Sequence, residues 1–260
     1  MRAILTYHSL DASRSVISVD PAAFEVQIAR LLARGIAIVP LADLLHASPE
    51  ANAVALTFDD GLASVESVAA PILRRHRLPA TIFVVAGHAG GTNAWGGRSQ
   101  AGIPALPVMG WDQLRALAAS GLDIGAHTVT HPDLTRLSNA HIEREVRGSL
   151  EWLEAQIGIR PRSFAYPYGA ISPTARAVAR RCFDVACTTE LGLLEPTASA
   201  DALPRVDMYY FSSPTALDDF GTPAFARRLK MYDYARRLRR RLPRLIPAGP
   251  SRNGMGQWMP

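Results

Sequence analysis

Short apolar runs alternate with amphipathic helical stretches from residue 3 to beyond residue 200, and that rhythm leaves few folds open. Residues 3–7 read as a first strand, followed by a helix with Asp20 as its cap, Pro21 at its first position and Gly35 at its end. Phe24, Ile28, Leu31 and Leu32 form its apolar stripe. Further strands are predicted at 36–39, 54–58, 80–85, 122–126, 163–166, 185–188 and 203–206. The intervening helices fall at 64–76, 111–120, 139–157 and 174–181, with Ser138 and Gly158 bracketing the longest. Residues 86–110 are rich in Gly and Pro, carry no period, and read as a loop on the binding face. Such alternation builds βα units around a parallel sheet or barrel, and the pattern alone does not separate the two. It does place Asp59, Asp60, His127, Tyr168 and Thr189 just after the C-terminal ends of strands, where sites assemble in parallel α/β folds.

The chain is long enough for one domain with a sizeable core: 260 residues, 48% of them hydrophobic and 20% charged. Two cysteines, Cys182 and Cys187, exclude a disulfide scaffold and read as buried thiols. Neither a secretion signal nor an apolar run of about 18 residues is apparent, so a cytoplasmic protein is expected. The net charge of +5 is concentrated at one place. Nine Lys or Arg and a single acid, Asp233, lie between Arg227 and Arg244, and the rest of the chain is net negative.

Three short segments carry chemistry. In Thr57-Phe58-Asp59-Asp60-Gly61 two adjacent carboxylates stand at a strand end, where they repel unless a cation or proton compensates. Neighbours on extended backbone point apart, so one can hold a metal while the other faces substrate; Asp-Gly also builds an ordinary turn. In His127-Thr128-Val129-Thr130-His131 the spacing suits a shared metal, and Pro132 favours a tight turn over a long helix. Two unrelated surface histidines are the alternative. Together, one carboxylate and two histidines make a three-ligand set with open positions, suited to zinc, iron, cobalt or nickel. Such an ion polarises a carbonyl and activates water, and Asp59 would take the proton. In Phe164-Ala165-Tyr166-Pro167-Tyr168-Gly169, Pro and Gly bracket a turn whose Tyr168 amide could face an oxyanion, although an aromatic turn would look the same.

In this order the three segments resemble the polysaccharide deacetylase family, the NodB-homology carbohydrate esterases (carbohydrate esterase family 4-like). Residues 57–61 match its T-F-D-D-G motif, residues 127–131 its H-[ST]-x-x-H motif, and residues 164–169 a third, F-A-Y-P-Y-G. The similarity runs over roughly residues 3 to 210. It implies a single-domain, distorted (β/α) barrel with fewer than eight full strands. It implies Asp59 as base, Asp60, His127 and His131 as ligands of a divalent metal, zinc foremost, and Tyr168 in the oxyanion hole. The substrate it implies is an N-acetylated sugar or glycan precursor. Two features depart from the family. The arginine that steadies the base in the third motif is replaced by Ala165, with Arg205 the candidate substitute; and no late His supplies a general acid, leaving His8 as candidate. Other metal-dependent C–N hydrolases, such as a deformylase, and a non-catalytic sugar-binding module are the rival readings.

Residues 1–222 are thus expected to form the deacetylase domain and residues 223–260 a basic helical extension. From Phe225, the residues Leu229, Tyr232, Ala235, Leu238, Leu242 and Leu245 recur at helical steps, with Arg228, Lys230, Arg237, Arg240, Arg241 and Arg244 opposite. Such a helix over 225–245 either lies on an anionic membrane, at its inner face, or packs on the barrel. Nucleic acid is not an expected partner, since the rest of the chain is net negative.

Overall fold

The structure, a computed structural model, describes residues 1–98 and 101–241, with side chains to residue 239. In chain order the strands are β1 (Arg2–Tyr7), β2 (Ser9–Leu10), β3 (Ser18–Val19), β4 (Ala37–Ile38), β5 (Ala53–Phe58), β6 (Thr81–Val84), β7 (Asp123–Ala126), β8 (Ser163–Ala165), β9 (Val185–Leu191) and β10 (Leu203–Asp207). The helices are α1 (Pro21–Ala33), α2 (Leu41–His46), α3 (Ala70–His76), α4 (Trp111–Ala119), α5 (Asn139–Ile157), α6 (Pro173–Cys182) and α7 (Pro223–Arg241). The sequence rhythm does produce a barrel. Strands β5 to β10 pair in order, all parallel, β4 adds a short parallel strand beside β5, and β1 closes the ring by pairing with both β10 and β5. Seven strands complete the circle, fewer than eight, as the family resemblance implies.

The distortion sits at β5. Its first two residues pair with β4 (Ala37↔Ala53, Ile38↔Val54) and its last two with β6 (Thr57↔Thr81, Phe58↔Ile82). The ring therefore splays between β5 and β6 at the bottom and is tight at the top, where the site lies.

Strand periodicity sorts the core into two layers. Ile4, Ala55, Phe83, Ala165, Val185, Cys187 and Leu203 point into the barrel and form one buried cluster. Ala3, Leu5, Val54, Leu56, Phe58, Ile82, Val84 and Phe164 point outward into a second cluster shared with the helices. Leu41 and Leu44 of α2, a helix that the sequence pattern did not show, plug the barrel floor. The buried Arg2 guanidinium donates to the carbonyls of Leu44, Leu45 and Ala47 at the end of α2, where orphan carbonyls need partners.

Helix ends follow the expected chemistry. The Asp20 carboxylate accepts from the Ala22 amide, Ser138 caps α5, and Gly158 closes it with φ of 78°. One predicted helix differs. Residues 65–69 form a π turn, and α3 begins only at Ala70. Pro71 has no amide hydrogen for the regular ladder, and the Ala70 amide reaches back five residues to the Val65 carbonyl. Of the two cysteines, Cys187 is buried as expected but Cys182 is half-buried, at the end of α6.

Candidate active site

At the top of the barrel the β5 backbone carries Asp59 and Asp60 into one cleft by turning sharply between them. The Asp59 amide still donates to the Tyr7 carbonyl of β1 at 2.9 Å, but Asp60 adopts a left-handed φ of 71°. Non-glycine residues rarely do this. Thr128 (φ 67°), His131 (φ 61°) and Tyr168 (φ 57°) share the conformation, so four of the six such residues described lie at this one place. Backbone strain of this kind persists where the surroundings over-determine it.

The 127–131 segment is a tight turn, as Pro132 suggested. Glu145 of α5 holds it, accepting from the amides of Val129 and Thr130, both at 2.9 Å, and from the Thr130 hydroxyl at 2.8 Å. The 86–88 turn meets the segment's other side. There the Ala86 amide donates to Thr128 and the Gly87 amide to the Val129 carbonyl. A Cβ on Gly87 would lie 2.7 Å from that carbonyl oxygen, so only glycine allows the approach.

Asp60, His127 and His131 converge. Their ligand atoms all lie within 4.8 Å of one another, and all three residues are buried. Nε2 of His127 is 3.6 Å and Nε2 of His131 3.5 Å from Asp60 Oδ1. These separations are too long for good hydrogen bonds. They match the edge of a tetrahedron, about 3.4 Å, set by zinc–nitrogen distances of about 2.0–2.1 Å. His127 Nδ1 lies 2.7 Å from the Ala165 carbonyl, which can only accept, so Nδ1 carries the proton and Nε2 is left as a lone-pair donor. Burial first, with neighbouring His127 second, holds the His131 imidazole well below its ordinary pKa and hence neutral. Burial pushes the Asp60 carboxyl up, the sign expected of a buried carboxylate awaiting a cation. The donor set thus fits a divalent metal.

Asp59 is treated differently. Burial would raise its pKa, but Arg205 outweighs that and holds the carboxyl well below the usual carboxylate range. The Arg205 guanidinium makes two parallel hydrogen bonds to Asp59, Nη1 to Oδ1 and Nη2 to Oδ2, each 2.7 Å. Both residues are almost wholly buried. Arg205 belongs to β10 and points inward, its Nε donating to the Thr188 carbonyl at 2.7 Å and its charge lying 5.8 Å from the Phe83 ring centre. Ala165 lies in the same barrel interior, and its small side chain leaves that interior open to an arginine from β10.

His8, at the end of β1, lines the cleft with Nε2 3.8 Å from Asp59 Oδ2. Tyr168 sets its ring edge-on to His131 at 4.7 Å and is exposed on its outer side. All seven residues singled out in the sequence therefore meet at one cleft of about 310 Å³ or directly behind it. The 86–110 loop supplies Asn93, Trp95 and Ile103 to the same wall, with Trp95 stacked on His131 at 4.8 Å. Sequence patterns missed these contributors, as they missed Glu145, Asp207 and Arg236. A lone Trp in a Gly-rich loop has no period to mark it.

Helix α7 packs on the barrel through Phe225 and Leu229, which join the outer core, and through half-buried Tyr232. Two expectations for it change. Arg228, placed on the outer face by the sequence pattern, pairs with Asp219 at 2.6 Å and lies over the rings of Phe211 and Phe225. Leu238, placed by the sequence pattern on one apolar stripe with Leu229 and Tyr232, does not share their packing and is exposed, as are Met231 and Tyr234. The side chains of Arg240 and Arg241, and all of Leu242, Arg244 and Leu245, lie outside the described residues.

A family model described as polysaccharide deacetylase matches residues 46–183. Chitin deacetylase 1 of Cryptococcus neoformans var. grubii is 30% identical over half of this chain, although the match spans only 24% of that protein. The putative polysaccharide deacetylase YxkH of Bacillus subtilis is 26% identical over 78% of this chain and 70% of its own. Among solved structures, the Streptococcus pyogenes deacetylase PplD in complex with acetate superposes with a TM-score of 0.72, covering 85% of this chain and 98% of that one at 24% identity. The closed seven-stranded barrel and the matched segment, which carries Asp59, Asp60, His127, His131 and Tyr168, make this chain a member of the polysaccharide deacetylase family.

Proposed function

We propose that the protein hydrolyses the N-acetyl group of an N-acetylated sugar in a glycan or glycan precursor, releasing acetate and a free amine. The observation that carries this reading is a buried carboxylate, Asp59, kept ionised by Arg205 beside the ligand set of Asp60, His127 and His131. A divalent cation held by that set, zinc foremost with iron, cobalt and nickel as alternatives, would supply Lewis acidity at the scissile carbonyl. Asp59 receives the proton of the attacking water. Arg205 occupies one lone pair on each carboxylate oxygen and leaves the others for that proton. His8, which lines the same cleft, is assigned the protonation of the departing amine, and the Tyr168 backbone amide is assigned to the oxyanion.

The test is acetate release from N-acetylated sugars, coupled to elemental analysis. Purified protein should carry a divalent metal and release acetate. Asp60→Ala, His127→Ala and His131→Ala should each lose both. Full metal retention in all three variants would end the metal assignment, and formate release without acetate would move the reading to a deformylase.

In the same reading, residues 1–222 form the deacetylase domain and residues 223–260 an extension that places it at an anionic lipid surface on the cytoplasmic side. The support is the outward face of α7, where Met231, Tyr234 and Leu238 are exposed at helical spacing beside Arg227 and Lys230. Among the described residues no helix is long and apolar enough to cross a membrane. Full-length protein should pellet with anionic liposomes at low salt and be released at high salt. Equal and poor pelleting of full-length protein and a Met231→Ser, Tyr234→Ser, Leu238→Ser variant would refute the docking.

A further inference from the structure

Arg236 is the residue of α7 that turns toward the reaction. Counting along the helix, Phe225, Leu229, Tyr232 and Arg236 fall on one face, and the first three are its packed side chains. Arg236 continues that face past the edge of the barrel and becomes part of the wall of the catalytic cleft, with His8, Asp59, Asp60, Asp207 and Thr189.

Its charge is placed and not neutralised. Nη1 donates to the Thr189 carbonyl, which fixes the half-buried side chain against the end of β9. A guanidinium has five N–H donors, so this contact leaves most of them for another group. The neighbouring acids are engaged elsewhere: Asp233 and Glu190 both pair with Arg237, at 2.7 and 3.2 Å, and Asp207 of the same wall accepts from the Tyr209 amide at 3.0 Å. Among the described residues no carboxylate lies within ion-pair distance of Arg236. A cleft whose floor holds two carboxylates thus has a fixed cation at its rim.

The rim also has a second side. Thr189 and Arg236 line an adjoining hollow of about 530 Å³ that runs along Gly169, Glu190 and Asp233. Arg236 and Thr189 thus stand between the cleft and this hollow, and a substrate longer than one sugar that leaves the cleft on this side meets the guanidinium.

We propose that Arg236 forms an anion subsite at the mouth of the cleft, binding a phosphate or carboxylate carried by the substrate next to its acetylated sugar. This deepens the proposed deacetylase activity and rests on it only for the word substrate. The planar fork of arginine matches the oxygens of either anion, whereas a neutral glycan offers it only hydroxyls. Arg236 is a specificity-determining residue on this account, and the chemistry at Asp59 proceeds without it.

The test is binding to the full-length chain by stopped-flow quenching of tryptophan fluorescence, read before turnover, since Trp95 lines the cleft. The probes are N-acetylglucosamine, its 1-phosphate, and a disaccharide joining it to glucuronic acid. Wild type should bind one of the charged probes roughly tenfold or more tightly than the neutral sugar, and the probe that does so identifies the anion. Arg236→Gln should abolish that preference and leave the neutral sugar within about twofold. Arg236→Lys, which keeps the charge without the fork, should retain part of it. No preference in wild type, or a preference that survives in Arg236→Gln, overturns the proposal. Should Arg236→Gln not fold, the Lys variant and the loss of preference in 0.5 M salt decide the same question. Acetate release is scored separately: wild type that prefers a charged probe but releases no acetate loses the deacetylase reading and keeps the subsite.

Discussion

Asp59 and Arg205 depend on each other more than either depends on its surroundings. Removing one partner of a buried ion pair strands the other without water, at a cost of about 3–5 kcal/mol. Arg205→Ala should therefore lower the melting temperature and activity together. Arg205→Lys keeps the charge but cannot make both bonds to Asp59, and should recover stability better than turnover. Asp59→Asn should keep metal, if the ligand set is as proposed, and lose about 10²- to 10⁴-fold in kcat, because an amide cannot accept the water's proton. A near-normal kcat in that variant would remove Asp59 from the reaction. His8→Ala tests the acid: kcat should fall while KM stays nearly constant, as for a group that acts in the transition state. An unchanged kcat returns His8 to a structural place at the end of β1. Arg205 was legible in the sequence only as the candidate to replace the arginine missing at Ala165, not as a measured partner of Asp59. Its bond to Asp59 spans 146 positions, and no local pattern encodes that.

At the scale of elements, the site is held by parts that never touch substrate. Glu145 sits on α5 between core positions Ile142 and Val146, and three bonds from it fix the turn that presents His127 and His131. Glu145→Ala should lower metal affinity about 10- to 100-fold, as loss of an outer support does, with little change in melting temperature. Competition against a chelator measures it, and unchanged affinity would show that the turn holds without the glutamate. The sequence showed α5, its caps and its apolar stripe, because period and capping are local. It showed nothing of Glu145's task, since a half-exposed acid on a helix is indistinguishable from a solvated one until the turn above it is placed. The same limit explains Arg236. Its position on the packed face of α7 was readable at i+4 from Tyr232, but a basic run reads first as a solvated surface. The π turn at 65–69 and helix α2 escaped for a different reason: each is too short for periodicity to declare it.

Across the whole molecule, the return from β9 to β10 is clamped by Asp201. It accepts two hydrogen bonds from Arg176 of α6, at 2.9 and 2.7 Å, and one from Ser199 at 2.5 Å, while its backbone carbonyl accepts from the buried Tyr166 phenol. The Arg176 bonds, against burial and with help from Ser199 and Arg180, lower the carboxyl pKa to about 2. A carboxyl depressed in the folded state stabilises the fold above its unfolded value, near 3.8, and loses that contribution as pH falls toward about 2. Arg176→Gln should thus be less stable than wild type at neutral pH, with the gap closing between about pH 4 and 2. Denaturant melts across that range check it, and a gap constant with pH would show that the aspartate is not the group that titrates. Arg176 is partly exposed, so the effect is screened and modest.

Closure of the barrel through β1 also has a consequence for biosynthesis. β1 pairs with β5 along its whole length and with β10 at Leu5 and Thr6, so within the barrel ring it is a member of both the first and the last strand pair to become available. About 200 residues separate it from β10, and at about 5–20 residues per second the ribosome needs on the order of 10–40 s to supply them. During that interval β1 and β5 can zip together, but the far edge of β1 has no native neighbour, and the side chains of Ala3, Ile4 and Leu5, buried in the finished barrel, lack part of their cover. Arg205 arrives in the same late strand, so Asp59 spends that interval without its counter-ion. The nascent chain thus presents an open, hydrophobic sheet edge and an unpaired acid until its final strand emerges, and one event in translation closes the edge and charges the site.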